Sequence, residues 1–288
     1  MRDLNYQLKQ LCHRNRDGSY ATQAKRMHHL MLIANQLDAL GFRGMNAHSL
    51  KPKHVEALIK NWQQQELGVG TIKNRVAVLR WWAQKVDKQN VVARSNDHYG
   101  IPDRQFVTNE SKARSVNTSD LEKIRDPYTR MSLELQRVFG LRREEAIKFT
   151  PSYADRGDHI ALKPTWTKGG KERDVPVRTE EQREVLNRAH RLAGGGALIA
   201  ADRNYVQQLR VYERHTADAG LSKMHGLRHA YAQQRYEEIT GWKSPAAGGP
   251  VARALSPGQK VVDRHARQTI SRELGHEREQ ITSVYLGK

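Results

Sequence analysis

The chain lacks most features of secreted and membrane proteins. Cys12 is its single cysteine in 288 residues, which excludes an internal disulfide and fits a reducing compartment. No apolar run reaches the length of about 18 residues that marks a membrane-spanning helix, and the N-terminus has no apolar signal-peptide core. Internal repeats are absent as well. We therefore expect a soluble cytoplasmic protein without a membrane partner.

Several familiar catalytic motifs are also missing. His225 and His229 have the spacing of a zinc-protease helix, but Gly226 occupies the place of its glutamate base. A phosphate-binding Walker loop has the pattern Gly-x-x-x-x-Gly-Lys-Ser/Thr. The segment that ends in Gly170-Lys171 does not fit it, because residue 165 is Thr where the pattern needs Gly and residue 172 is Glu where it needs Ser or Thr. No serine lies in a nucleophile elbow. The sequence thus predicts no metal and no cofactor.

Positive charge is the strongest compositional feature. Lys and Arg number 49 against 31 Asp and Glu, a formal charge of +18 that is spread along the whole chain. Such an excess favours a polyanion as partner, because bound phosphates release counterions. A merely soluble basic protein is the simpler alternative.

Residues 1–92 read as a bundle of short helices. Apolar residues recur at helical spacing from Asp3 to His13, from Tyr20 to Leu40, from Pro52 to Trp62, and from Ile72 to Val86. Basic residues lie on the polar faces, where they are either solvated or in contact with a nucleic-acid backbone. We favour the second interpretation for Lys25, Arg26, Lys73, Arg75 and Arg80.

Residues 93–117 are polar and aperiodic, and we interpret them as a linker. Residues 118–288 then form a second domain, mainly helical with one small sheet. Its predicted strands are 159–162 and 174–177, joined by a turn at Lys168-Gly169-Gly170-Lys171. The Gly- and Pro-rich stretch 241–258 is expected to be an exposed loop.

One predicted helix face carries charge that a core would not accommodate. His225, Arg228 and His229 stand at i, i+3 and i+4, so a helix projects all three from one side. A guanidinium cannot lose its charge to escape burial, but it grips a planar oxyanion with paired donors. This face therefore predicts a phosphate site.

The order and spacing of five segments resemble the tyrosine recombinases, or phage-type integrases. The segments are Gly140-Leu141-Arg142-Arg143-Glu144-Glu145, Lys168-Gly169-Gly170-Lys171-Glu172-Arg173, His225-Gly226-Leu227-Arg228-His229, Leu274-Gly275-His276 and Tyr285. The resemblance covers the whole second half, and the helical first half is similar to that family's core-binding domain. It implies a helical core-binding domain plus an α+β catalytic domain that together form a C-shaped clamp around DNA.

The resemblance also implies roles for single residues. Tyr285 is the expected nucleophile, and the other expected catalytic residues are Arg142, Lys168, His225, Arg228 and His276. Glu145 and His229 are expected to support them, and Lys171 and Arg173 are added to the predicted DNA contacts. The implied reaction cuts and rejoins DNA through a 3′-phosphotyrosyl intermediate, without metal or ATP.

The family resemblance implies partners too: double-stranded DNA target sites and three further copies of this chain, which form a tetramer on two duplexes. It allows accessory DNA-bending proteins as further partners, and it implies association with the nucleoid. Two alternatives stay open, a type IB topoisomerase-like enzyme and a non-catalytic DNA-binding protein. Two departures from many relatives are an expected surface insertion at 241–258 and a short tail after Tyr285, which leaves the contacts between protomers open.

Overall fold

The computed structural model describes residues 3–276 and 278–288 and divides into two compact units, Met1–Gln105 and Phe106–Lys288. The division lies inside the segment 93–117 that the sequence predicts as a linker. Each end of this segment packs within its own unit. Ile101 is buried in the first core, and in the second unit the backbone N–H of Arg114 donates to the carbonyl of Gly226 at 3.0 Å.

The first unit is a bundle of α-helices, as predicted. Its helices are α1 (Asp3–Arg14), α2 (Tyr20–Ala39), α3 (Pro52–Gln64) and α4 (Val69–Lys85). Ser19 caps α2 by accepting from the backbone of Thr22, and Pro52 begins α3. The indoles of Trp62 and Trp82 are fully buried, and their N–H groups donate to the side chain of Gln36 and the carbonyl of Ala47.

The second unit surrounds helix α6 with helices and one hairpin. Its elements in chain order are α5 (Thr118–Glu122), α6 (Pro127–Phe139), α7 (Arg143–Lys148), α8 (Pro151–Ala154), β1 (His159–Leu162), β2 (Arg173–Pro176), α9 (Glu180–Ala193), α10 (Tyr205–Asp218), α11 (Gly226–Thr240), α12 (Pro257–Glu273) and α13 (Glu279–Leu286). The main core packs α6, α9, α11 and α12 against β2. The predicted fold class, mainly helical with a small sheet, is confirmed.

The second strand differs from the prediction by one residue. It begins at Arg173 and pairs antiparallel with the first strand, so that Leu162 lies opposite Arg173 and His159 opposite Pro176. Because side chains alternate along a strand, Arg173 shares the inward face with Val175, whereas Asp174 is exposed. Arg173, which was predicted as a DNA contact, is therefore largely buried.

The stretch 241–258 is the exposed loop that its composition predicts only in part, because it contains buried residues as well as exposed ones. Ser244, Pro245 and Ala246 are buried, and a short 3-10 turn there packs against α13. A Cβ on Gly287 would lie 2.7 Å from the backbone nitrogen of Ala246. Apolar burial against the last helix thus overrides the polar loop signal of glycine and proline.

Glu277, which the sequence placed at the start of the last helix, lies outside the described residues, and that helix begins at Glu279. No helix in residues 3–276 and 278–288 is long and apolar enough to cross a membrane.

Candidate active site

A cavity of about 930 Å³ in the second unit collects most of the predicted catalytic residues. Four segments border it: the start of α7, the residue before α11, the turn after α12, and α13. The hairpin loop between β1 and β2 closes a further side. The cationic and titratable residues on its wall include Arg142, Lys168, Lys171, His225, Arg272, His276 and Tyr285.

The hydroxyl of Tyr285 lies within hydrogen-bonding distance of an imidazole. Nε2 of His225 is 3.2 Å from this oxygen, and both residues line the cavity. Tyr285 is otherwise buried, with 7% of its surface exposed. The amide of Gln233 on α11 donates to the Tyr285 carbonyl at 3.1 Å and so holds its backbone. The phenol is thus fixed with its oxygen beside a proton acceptor.

Two more histidines flank the same ring. The centroid of the His229 ring is 4.4 Å from that of Tyr285, and the His276 ring stacks at 5.2 Å with an interplanar angle of 25°. Nδ1 of His276 lies 2.9 Å from the hydroxyl of Thr282 on α13. A turn ending α12 places His276, since Gly275 has φ +63° and the N–H of His276 donates back to Ser271.

Burial and neighbouring cations keep all three imidazoles neutral. Partial burial, and then Arg228 and Arg142, lower the pKa of His225. The same influences lower the pKa of His276 to about 3. For His229, burial and then His225 lower the pKa to about 4. At pH 7 His225 can therefore accept a proton.

These shifts predict that acid destabilises the fold. An unfolded histidine has a pKa of 6.5, so between pH 6.5 and 4.5 the unfolded chain binds a proton at residue 229 that the folded chain does not. The stabilisation that comes from keeping His229 neutral is fully present above pH 6.5. It is lost as the pH falls toward the folded pKa of His229. We expect His229→Gln to reduce the pH slope of the unfolding free energy by about 1.4 kcal/mol per pH unit.

Urea denaturation at constant ionic strength measures this slope. The window stops at pH 4.5 because Glu145 titrates below it on unfolding. Exposed His48 is the matched control, and His48→Gln should leave the slope as it is in the unmodified protein. A His229→Gln protein with an unaltered slope would show that this ring is not held neutral.

Glu145 joins two arginines below the cavity. Its fully buried carboxylate accepts from the backbone N–H and Nη1 of Arg142 at 2.6 and 2.8 Å, which is a capping box at the start of α7. It also accepts two bonds of 2.7 Å from Arg173. Burial alone would raise the pKa of Glu145, but Arg173, Arg228 and Arg142 lower it to about 2. The carboxylate is thus ionised and leaves part of the Arg142 guanidinium facing the cavity.

Arg228 lies beneath the site and does not line the cavity. Its side chain is buried, and its two terminal nitrogens donate to the carbonyls of Gly140, at 2.5 Å, and Leu274. Its guanidinium carbon is 5.8 Å from the centre of the Tyr285 ring. Burial, then Arg173 and Arg142, lower the pKa of Arg228 to about 9, so it remains a cation at pH 7. Direct binding of a phosphate by Arg228 stays a prediction.

Comparisons with known proteins identify the family and the fold. The family model described as "Phage integrase, N-terminal" matches residues 1–92, and the model "Integrase" matches residues 104–234. The chain belongs to the phage integrase family of tyrosine recombinases. The second matched range contains Arg142, Lys168, His225 and Arg228 and ends before His276 and Tyr285.

Solved integrase structures share the fold at low sequence identity. A lambda integrase tetramer bound to a Holliday junction is 16% identical, with a TM-score of 0.63 over 98% of this chain and 78% of that chain. The recombinase XerH bound to difH substrate is 16% identical, with a TM-score of 0.57 over 98% and 80%. The Tn1549 transposon integrase (aa 82-397) bound to circular intermediate DNA is 16% identical, with a TM-score of 0.58 over 100% and 96%. No curated protein matches the sequence.

The hairpin loop that carries Lys168 is held at its base by two contacts. Trp166 is buried, with its ring centre 5.8 Å from that of Tyr153. The hydroxyl of Thr167 donates to the carbonyl of Lys171 at 2.6 Å. Lys168 itself is exposed on the cavity wall. Its amine can therefore move while the base of the loop stays in place.

The predicted DNA contacts occupy three kinds of position. Lys25 and Lys171 are exposed. Four others are partly exposed and have partners within the first unit: Lys73 pairs with Asp103, Arg26 and Arg75 lie over the rings of Trp81 and Trp62, and Arg80 bonds the carbonyl of Ala93 and the side chain of Asn96. Arg173 is buried against Glu145 at the border of the cavity, and its predicted contact with DNA stays a prediction.

Three residues of the site were missed by sequence reasoning. Gln233 follows His229 by one helical turn, so the face that carries the histidines indicated it. Arg272 lines the cavity from the end of α12, and no sequence signal distinguished it from other surface arginines. Thr282 is fully buried beside His276, and only the packing of α13 places it there.

Proposed function

We propose that this protein is a site-specific tyrosine recombinase, the integrase of a mobile genetic element, acting on nucleoid DNA in the cytoplasm. The observation that carries the proposal is the 3.2 Å contact between the Tyr285 hydroxyl and Nε2 of His225 on the wall of a cationic cavity. A mere DNA-binding protein has no use for a phenol held beside a neutral imidazole.

The first step is attack of Tyr285 on a backbone phosphorus. The phenol of an unperturbed tyrosine ionises near pH 10, so it needs a base to react at neutral pH. His225 accepts the proton as the bond from the tyrosine oxygen to phosphorus forms. The bond from phosphorus to the 5′-oxygen breaks, which leaves a 3′-phosphotyrosyl link and a free 5′-hydroxyl.

Fixed donors stabilise the charge that builds up on the phosphate. Arg142 offers its cavity-facing N–H groups to the non-bridging oxygens, and it is already oriented by Glu145. When Thr282 donates to Nδ1 of His276, the other ring nitrogen carries a hydrogen and donates to the phosphate. Arg228 adds positive charge from beneath the cavity floor.

The leaving 5′-oxygen also needs a proton, because an alkoxide is a poor leaving group. Lys168 is the candidate acid, since its ammonium projects from the hairpin loop on the cavity wall. In the reverse step this lysine takes the proton back from an incoming 5′-hydroxyl. The intermediate preserves the energy of the phosphodiester, so joining to a new strand requires neither ATP nor a metal.

Strand exchange requires two cut duplexes held together. We therefore propose that four protomers act on two target sites through a four-way junction, with DNA-bending proteins as accessory partners. The lambda integrase with a similar fold is a tetramer bound to a Holliday junction, and this supports the proposal of four protomers. Lys25, Lys171 and the partly exposed basic residues of the first unit are proposed backbone contacts.

Capture of the covalent intermediate tests this function. The substrate is a library of duplexes with a randomised core and a nick, which lets a short cleaved strand diffuse away and traps the adduct. We expect complexes that survive denaturant in the presence of EDTA, with the DNA attached to Tyr285 in peptide mapping. Sequencing the captured DNA then defines the target site.

The same experiment separates the competing functions. Strand cleavage that needs a divalent metal and leaves no adduct would refute the proposal. Binding without cleavage would instead indicate a non-catalytic member of the fold. If an adduct forms, two copies of the selected site should yield four-way junctions, whereas a type IB topoisomerase-like enzyme would only relax a supercoiled plasmid.

A further inference from the structure

Arg173 has more contacts with the site than its predicted role as a DNA contact explains. Its two terminal nitrogens bond the two oxygens of Glu145, each at 2.7 Å, in the paired geometry that an arginine fork makes with a carboxylate. Its side chain is 5% exposed and that of Glu145 is 0% exposed. Water cannot readily replace either partner.

The carboxylate that Arg173 holds is the one that orients Arg142. Oε1 and Oε2 of Glu145 each accept one bond from Arg173 and one from Arg142. Without Arg173, half of these bonds are lost, and the buried carboxylate is free to turn toward the remaining cations. The Arg142 side chain would turn with the carboxylate, because its guanidinium is bonded to Oε1 of Glu145.

Arg173 also contacts the turn that precedes His276. A Cβ on Gly275 would lie 2.8 Å from Cδ of Arg173, so the turn rests directly on the aliphatic part of the arginine. Gly275 has φ +63°, and it therefore meets both a conformational and a steric requirement for glycine. One side chain thus joins strand β2, the start of α7 and the end of α12.

We propose that Arg173 is a positioning residue for phosphate activation, and that it acts by fixing the Glu145–Arg142 pair. This inference rests on the proposed DNA cleavage and adds a residue to it. Arg173 acts through Arg142 and does not itself bind DNA. A displacement of about 1 Å in a reacting group can cost about 100-fold in rate.

Arg173→Lys is the main test, because lysine retains the positive charge and loses the fork. With the captured target duplex, we expect adduct formation at saturating DNA to slow by about 100-fold. The dissociation constant for DNA should stay within about twofold, because only 5% of the side chain is exposed where it borders the cavity. Arg183→Lys is the matched control, since Arg183 bonds Asp155 at 2.7 Å in the same unit and lies outside the cavity. It should cleave at the wild-type rate.

A substrate with sulfur in place of the 5′-bridging oxygen identifies the affected step. A thiolate leaves without protonation, so this substrate does not need Lys168. If Arg173 acts through Arg142, the Arg173→Lys defect should persist on the sulfur substrate. Recovery of the wild-type rate would mean that Arg173 acts by placing the Lys168 loop, and the inference would be wrong.

Glu145→Gln provides a second route if the lysine variant folds poorly. Its amide cannot pair with both arginines, so we expect the same slow cleavage and unaltered DNA affinity. The double variant should be less than about threefold slower than the slower single variant, because both changes break one unit. Additive losses, a loss confined to DNA affinity, or a wild-type rate in Arg173→Lys would each overturn the proposal. A wild-type protein that forms no adduct would refute the proposed function instead.

Discussion

Tyr285→Phe is expected to abolish the covalent adduct, with a loss of rate on the order of 10⁴-fold or more. The variant lacks the attacking oxygen, and no other hydroxyl in the described structure is bonded to His225. The fold should persist, because the ring still packs between His229 and His276. A single hydrogen bond contributes only about 1 kcal/mol to stability. DNA affinity should remain close to that of the unmodified protein.

Tyr236→Phe is the matched control for this experiment. Tyr236 is also buried in the second unit, and its hydroxyl donates to Asp263 at 2.6 Å outside the cavity. Its loss should reduce stability modestly and leave the rate of adduct formation as it is. Adduct formation by Tyr285→Phe at a comparable rate would assign the nucleophile to another residue.

Arg142→Met should slow cleavage by about 100- to 1,000-fold, the usual cost of removing one donor to a developing oxyanion. Methionine has a similar length but offers no hydrogen to the phosphate. The start of α7 should survive, because the backbone N–H of residue 142 still bonds Glu145 and Arg173 still neutralises that carboxylate. We therefore expect the defect in single-turnover cleavage at saturating DNA, with a small change in unfolding free energy.

The neighbouring residue offers a control of the same chemical type. Arg143 is half exposed and pairs with Glu213 at 3.0 Å, a surface bridge that contributes little to stability. Arg143→Met removes one positive charge from the same turn but does not line the cavity. Equal losses of rate in the two variants would mean that net charge, and not the placement of Arg142, supports cleavage.

Local patterns in the sequence were sufficient for most of the fold. The helices of both units were recognisable because apolar residues repeat every three to four positions, and because the N-cap Ser19 and the first-turn Pro52 mark helix starts. The second strand was misplaced by one residue, since Arg173 reads as polar. Burial at 244–246 was missed because the partner surface lies on a helix distant in sequence.

The candidate site also has residues that the sequence identified and contacts that only the structure revealed. The motifs around Arg142, Lys168, His225 and His276 marked residues whose side chains the structure brings to one cavity. Their chemical roles remain predictions. Sequence spacing could not assign Arg173 to Glu145 or Arg228 to the carbonyls of Gly140 and Leu274, because each bond joins segments that are far apart in the chain.

The sequence by itself determined the helical architecture, the basic character and the identity of the residues that could perform phosphoryl transfer. The first two depend on composition and on periodicities that operate within a few residues, and the third on the resemblance of five segments to the tyrosine recombinases. Only the tertiary structure decided how far each arginine of the site is exposed: part of Arg142 faces the cavity, Arg173 borders it almost fully buried, and Arg228 lies beneath it. Arg142 and Arg173 have identical side chains, but the ionised carboxylate of Glu145 and the alternation of strand β2 bury one and leave part of the other exposed. A buried charge is stable only with bonded partners, and those partners come from distant segments that folding brings together.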